Sequence, residues 1–254
     1  MVCMKNEISF ASDLAKYGMG LFETIKVING KAVFLAEHLE RLYNSINQLG
    51  ISFELTKELL EQRVEEYVTR LDNQALRITV CDRGYNFSTR DISYQAEDYK
   101  RGFELGIATI TKGENPLDYH KTCNYFVNIQ ARKVAQANGY DEAIFLNANN
   151  FVLEATMANI FFIKDGKLYT PKLELGLLPG IIRSKVILSA QELGVEVKEV
   201  VIDKPELVLF DFAFISNSLL GLMKVKSIEG SQYNEESQIF KNLQQKLKEK
   251  ELRS

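Results

Sequence analysis

Apolar positions along the chain follow two rhythms, and each rhythm marks a kind of element. Leu35, Leu39, Leu42, Ile46 and Leu49 recur at steps of four and three, which puts them on one helical face, and Gly50 follows as a stop. Thr56 can cap a second helix, whose apolar face would be Leu60, Val64, Tyr67 and Leu71. Leu76, Ile78 and Val80 alternate with Arg77, Thr79 and Cys81, the period-two pattern of a half-buried strand. Residues 21–28, ending on Asn29-Gly30, read as the first arm of a hairpin whose second arm holds Val33 and Phe34.

Further along, residues 111–118 gather Lys112, Gly113, Glu114, Asn115 and Pro116. This break in composition predicts a linker between a domain over residues 1–112 and another over 113–254. Beyond it, residues 143–146, 151–153 and 160–163 are short apolar runs separated by turn residues, and 164–167 reads as a hairpin turn. A helix is predicted from Ile181, after Pro179-Gly180, to Gly194. Strands follow near 195–202 and 212–216, and a charged amphipathic helix carries Ile239, Phe240, Leu243 and Leu247 over 237–254. Strand pairs mixed with helices predict an α/β or α+β protein of two domains, without the regular strand–helix alternation of a dinucleotide fold.

Charge and composition narrow the function classes. The net charge is −3 and the Lys and Arg residues are scattered, whereas a nucleic-acid binder should gather them into a stripe. No apolar run approaches the length of a membrane span, and the first seven residues lack the layout of a secretory signal. Cys3, Cys81 and Cys123 are odd in number and far apart, which suggests a reducing, cytoplasmic setting without a disulfide framework. With only His38 and His120, and no Cys-x-x-Cys pair, no metal centre is expected.

Several residues could carry chemistry. Glu154, within the apolar residues 151–156, either stands on the solvent face of an edge strand or meets a cation such as a protonated pyridine nitrogen. Lys121 follows a loop and is either a solvated amine or, if buried, a Schiff-base nucleophile. Pro179-Gly180 ahead of Ile181, Ile182 and Arg183 leaves backbone N–H groups at a helix start, a place for phosphate as well as an ordinary cap. Ser216, Asn217 and Ser218 could add donors, and Arg41 is either a plain helix charge or a phosphate clamp.

In this order, from Tyr17 to Val225, the segments resemble the fold type IV, or class IV, pyridoxal-phosphate enzymes. That group contains branched-chain aminotransferases, D-amino-acid aminotransferases and aminodeoxychorismate lyases. Tyr17-Gly18-Met19-Gly20-Leu21-Phe22-Glu23-Thr24 looks like the family's opening Gly-Asp-Gly-aromatic-Glu segment, and His38-Leu39-Glu40-Arg41-Leu42 is similar to its His-x-x-Arg-Leu helix. Residues 154–161 are close to its Glu-x-x-x-x-Asn-aliphatic-Phe stretch, and residues 178–183 look like its phosphate-binding turn.

The resemblance implies a smaller N-terminal α/β domain, a larger C-terminal mixed domain and a homodimer acting on a small molecule. It implies pyridoxal 5'-phosphate on Lys121, with Tyr125 nearby and Glu154 on the pyridine nitrogen. Arg41, Ile181, Ile182, Asn217 and Ser218 would serve the cofactor and its phosphate. A carrier that merely held the phosphate would need neither Lys121 nor Glu154. Met19, Ile182 and Lys224 depart from the usual Asp, Thr and Pro, and Ile182 leaves the phosphate to backbone donors. Arg83-Gly84-Tyr85 resembles a loop of the lyases, in which Arg83 would clamp a substrate carboxylate, and Phe22 stands where D-amino-acid aminotransferases carry Tyr. A lyase turning 4-amino-4-deoxychorismate into 4-aminobenzoate and pyruvate is therefore expected first, and a branched-chain or D-amino-acid aminotransferase second.

Overall fold

A computed structural model describes residues 4–254. They form two compact units. One runs to Ser93 and regains His120–Tyr125 and Lys250–Ser254; the other comprises Tyr94–Tyr119 and Phe126–Glu249.

The first unit holds α1 (Asp13–Tyr17), β1 (Gly20–Ile28), β2 (Lys31–Ala32), α2 (Leu35–Leu49), α3 (Lys57–Val68), β3 (Gln74–Cys81) and β4 (Gly84–Asp91). Its strands make an antiparallel sheet in the order β2-β1-β3-β4. The two-residue period of β1 sends Leu21, Glu23, Ile25 and Val27 to one face and Gly20, Phe22, Thr24 and Lys26 to the other. Register sets Leu21 opposite Val80 and Ile25 opposite Leu76. These side chains join Leu39, Leu42, Ile46, Leu60 and Val64 of the two long helices in one core. One sheet face is thus closed by helices, and the other carries Phe22 and Thr24.

Two expectations change in detail. Asn29 and Gly30 take φ of 49° and 74°, the paired left-handed conformation of a tight hairpin turn. The second arm, however, stops at Ala32, because Phe34 turns to φ 56° and starts α2. Thr56 caps α3 as predicted, its Oγ1 accepting from the Leu59 N–H at 3.3 Å. That helix ends at Val68, so its buried stripe is Leu60, Val64 and Val68. Tyr67 instead leans on the ring of Phe87, and Leu71 lies past the last turn.

The second unit contains α4 (Ala96–Arg101), β5 (Phe103–Ile107), α5 (Phe126–Ala137), β6 (Glu142–Leu146), β7 (Val152–Ala155), β8 (Asn159–Lys164) and β9 (Lys167–Pro171). It continues with α6 (Ile181–Glu192), β10 (Val197–Val200), β11 (Phe212–Asn217), β12 (Gly221–Ile228), β13 (Ser231–Gln232) and most of α7 (Gln238–Arg253). Its mixed sheet runs β10-β9-β8-β11-β12-β5-β6-β7, with β13 on β12. The β9–β10, β5–β12 and β5–β6 pairs are parallel and the rest antiparallel. Leu105, Ile144, Ala155, Phe162, Ile215 and Met223 belong to its main core.

The polar segment 111–118, expected as the linker, lies inside this unit. Lys112 bridges to Asn147, and Pro116–Tyr119 coils into a 3-10 turn. Two of its charged residues are held by ion pairs, since Lys112 meets both Asp118 and Glu154. The units part at Ser93 instead of at 112.

Candidate functional site

The first group of candidate side chains belongs to the small sheet. Where β2 ends, the segment around Thr122 takes its place beside β1: Phe22 N–H donates to the Lys121 carbonyl at 2.9 Å, and Cys123 N–H to that of Gly20 at 2.8 Å. Strand-like pairing therefore fixes the backbone of Lys121. Its Nζ stands 4.4 Å from the centre of the Phe22 ring, 4.9 Å from that of Tyr125 and 3.4 Å from the Tyr125 hydroxyl. The two rings meet edge to face at 5.0 Å. The amine is held between aromatic surfaces, as a covalent anchor for a flat ligand requires.

Arg77 shares this surroundings. Its guanidinium lies 3.7 Å over the Phe22 ring, and its Nε donates to Thr79 Oγ1 at 3.2 Å. Burial lowers its proton affinity, with Cys123 and Tyr125 opposing. Among the described residues no carboxylate pairs with it. The alternation in β3 placed Arg77 away from the core, but nothing local in the sequence put an aromatic ring beneath it. By contrast, Arg83 sits in the turn between β3 and β4, its side chain 58% exposed and paired with Asp82 at 3.1 Å.

On the helix side of the sheet, Glu23 is fully enclosed. His38 Nδ1 lies 2.7 Å from its Oε2, and Arg41 grips both oxygens, through Nε at 2.8 Å and Nη2 at 2.6 Å. Burial alone would raise the Glu23 carboxyl, yet Arg41 and His38 outweigh it and hold it at about 2. Burial also lowers His38, against the pull of Glu23. Arg41 is thus fixed by a bidentate ion pair.

The second group belongs to the large sheet. Glu154 is 6% exposed on β7, so the solvent-face alternative is overturned; every residue of that strand is buried. Its Oε1 accepts from Lys112 Nζ at 3.0 Å, and its Oε2 from Leu178 N–H at 3.2 Å and Asn159 Nδ2 at 3.4 Å. Burial raises the Glu154 carboxyl while Lys112 and the Leu178 N–H oppose. Asn159 also donates to the Leu178 carbonyl at 3.0 Å. A Cβ on Gly180 would fall 2.0 Å from Asn159 Oδ1, which explains the glycine at that spot.

Next comes the start of α6, where no side chain caps the first N–H groups at Ile181 and Ile182. Ser216 stands opposite Asn159 in the β8–β11 register, and its buried hydroxyl has no partner among the described residues. Asn217 ties two turns together: Nδ2 donates to the Met157 carbonyl between β7 and β8, and Oδ1 receives the N–H groups of Leu219 and Leu220 in its own loop. Ser218 follows it, partly buried.

Each unit by itself carries donors that suit a part of pyridoxal phosphate. The ring nitrogen needs a buried carboxylate, which β7 carries. The phosphate needs unpaired donors, and the α6 N-terminus with the orphaned Ser216 hydroxyl offers them. The aldehyde needs a primary amine against aromatic surface, which Lys121 is. Among the described residues no cluster of His, Cys, Asp or Glu could hold a metal, and no helix is long and apolar enough to cross a membrane.

Comparison with known proteins agrees with this chemistry. The family model described as amino-transferase class IV matches residues 20–228. A branched-chain-amino-acid aminotransferase from Escherichia coli is 36% identical, over 90% of this chain and 82% of that protein. An aminodeoxychorismate lyase from Vibrio harveyi is 30% identical over 84% of each. A crystal structure from Legionella pneumophila, provisionally assigned as a 4-amino-4-deoxychorismate lyase, superposes with a TM-score of 0.90 at 31% identity, covering 98% of this chain and 97% of that one. The mixed α/β architecture read from the sequence is the one these structures share.

Proposed function

The chain belongs to the class IV aminotransferases, fold type IV enzymes that depend on pyridoxal phosphate, and within that family we propose that it converts 4-amino-4-deoxychorismate to 4-aminobenzoate and pyruvate. Arg77 carries the reading. It is a largely buried cation without a carboxylate partner, resting on the ring that Lys121 also touches. Such a group calls for an anion. Aminodeoxychorismate carries one carboxylate on a ring that can lie against Phe22 and Tyr125 and a second on its enolpyruvyl group, enough for two cations, whereas a branched-chain amino acid brings a single carboxylate. Arg77 is proposed for one carboxylate, and Arg83, on the exposed turn, for the other.

When bound, the cofactor supplies an aldehyde that captures amines and a ring that accepts electrons. Lys121 would be its covalent anchor, and its Nζ, when free, would take the proton from the carbon bearing the substrate's amine. The bond between the substrate's ring and the enolpyruvyl oxygen then breaks. The ring becomes aromatic, and the enolpyruvate takes up a proton to leave as pyruvate. Glu154 would hold the proton on the cofactor's ring nitrogen. Arg41, the N–H groups of Ile181 and Ile182, Asn217 and Ser218 are proposed for the phosphate. A cytoplasmic homodimer completes the proposal, and sedimentation of the purified protein tests the dimer.

A second reading, amino-group transfer from a branched-chain or D-amino acid, is favoured by the 36% identity to the Escherichia coli aminotransferase. Aminodeoxychorismate offered to the loaded protein distinguishes the two. The lyase yields 4-aminobenzoate and pyruvate in equal amounts. Transfer from an amino acid to 2-oxoglutarate without 4-aminobenzoate would overturn the first reading in favour of the second.

A further inference from the structure

Lys112 lies outside every motif that marks the family resemblance, yet its ammonium is in the strongest electrostatic contact that Glu154 makes. Its Nζ meets Glu154 Oε1 at 3.0 Å and Asp118 Oδ1 at 3.3 Å, and lies 4.9 Å from the centre of the Phe145 ring. The side chains of Lys112 and Glu154 are 10% and 8% exposed, so water screens little of this interaction. Two carboxylates against one ammonium leave the cluster with one net negative charge, which a single cation would neutralise. A carboxylate offers about four lone-pair positions, and Lys112, Asn159 and Leu178 N–H use three. One position remains for an incoming N–H.

We propose that Lys112 is a positioning residue that keeps Glu154 ionised and oriented, so that a carboxylate is ready to receive a protonated ring nitrogen before the cofactor arrives. Removal of the ammonium leaves two carboxylates close together in a poorly hydrated place, where one of them takes up a proton. A protonated Glu154 cannot pair with a pyridinium, and the cofactor would lose its electron demand. Burial, which pushes the Glu154 carboxyl up, makes the opposing ammonium necessary. Asp118 tempers the effect by drawing Lys112 partly to itself. The proposal rests on the role given to Glu154 under the proposed function.

The test uses cofactor-free full-length protein labelled with carbon-13 at the glutamate carboxyls, the Glu154 signal being identified by its loss in Glu154→Gln. Lys112→Met should raise the Glu154 titration midpoint by about 1 to 3 pH units, and Lys112→Arg should leave it near the wild-type value. Asp118→Asn should lower it. An unmoved midpoint in folded Lys112→Met overturns the proposal; should that variant not fold, an unmoved midpoint in Asp118→Asn does the same. Pyridoxal phosphate titrated into each protein then separates the two levels of the argument. Lys112→Met and Glu154→Gln should each bind it about tenfold or more weakly, a loss on the order of 1.4 kcal/mol. Wild-type affinity and absorbance in Glu154→Gln would remove the role of Glu154, and the proposal with it. Weakened binding in Glu154→Gln beside an unmoved Glu154 midpoint in Lys112→Met would remove the Lys112 claim alone.

Discussion

Single residues show most clearly how burial decides chemistry. Arg77 is held by the Phe22 ring and Thr79 rather than by an acid, so a substrate carboxylate would be its strongest partner. Arg77→Met should lower kcat/KM roughly 10- to 100-fold, mainly through KM, as the loss of a charged hydrogen bond predicts. Steady-state kinetics with an unchanged KM would dismiss the clamp. Glu23 illustrates the reverse case, an acid fully spent on structure. Its folded-state pKa of about 2 lies below the ordinary 4.5, so it stabilises the fold above pH 4.5 and that contribution fades as pH falls toward 2. His38 is also depressed in the fold, so the unfolded chain takes up its proton first and stability declines as pH drops below 6.5. Chemical denaturation from pH 7 to pH 3 should show stability decreasing steadily in the wild type. Glu23→Gln, less stable at pH 7, should give a flatter curve below pH 4.5; parallel curves would refute the assignment.

Elements place these residues through register and close approach. Gly180 adopts φ −69°, which any residue can take, so its need for glycine comes from Asn159 alone. Gly180→Ala should therefore displace Asn159, disturb its contact with Glu154 and weaken pyridoxal phosphate binding about tenfold or more. Adding Asn159→Ala should recover thermal stability but not affinity. Recovery of both would mean that the Asn159–Glu154 contact is unimportant. The sequence made α2, α3 and β3 legible through their apolar periods, and α6 through the Pro179-Gly180 that opens it and the Gly194 that follows it. It left β4 and β5 unread: β4 turns exposed polar residues outward over Ser88 to Asp91, and β5 is short and breaks its apolar run with Glu104. The helix α5 escaped because Phe126, Val127, Ile129 and Val134 stay exposed and only Ala131 and Ala135 are buried, so no apolar stripe pointed inward.

At the scale of the whole molecule, linear order predicted the family better than it predicted the anatomy. Motifs recur in sequence order whatever the chain does between them, which is why Lys121 and Glu154 could be named from the sequence. Their surroundings could not be. Lys112 looked like linker because ion pairing and solvation select the same residue types, and Lys121 was expected in the second domain although its segment pairs with β1 of the first. All of the proposed chemistry requires Lys121 to be the covalent anchor. Borohydride reduction of the loaded protein, followed by peptide mass spectrometry, tests that directly. The phosphopyridoxyl mass should appear on the peptide containing Lys121 and vanish in Lys121→Ala. The same mass on another lysine, with Lys121 unmodified, would contradict it.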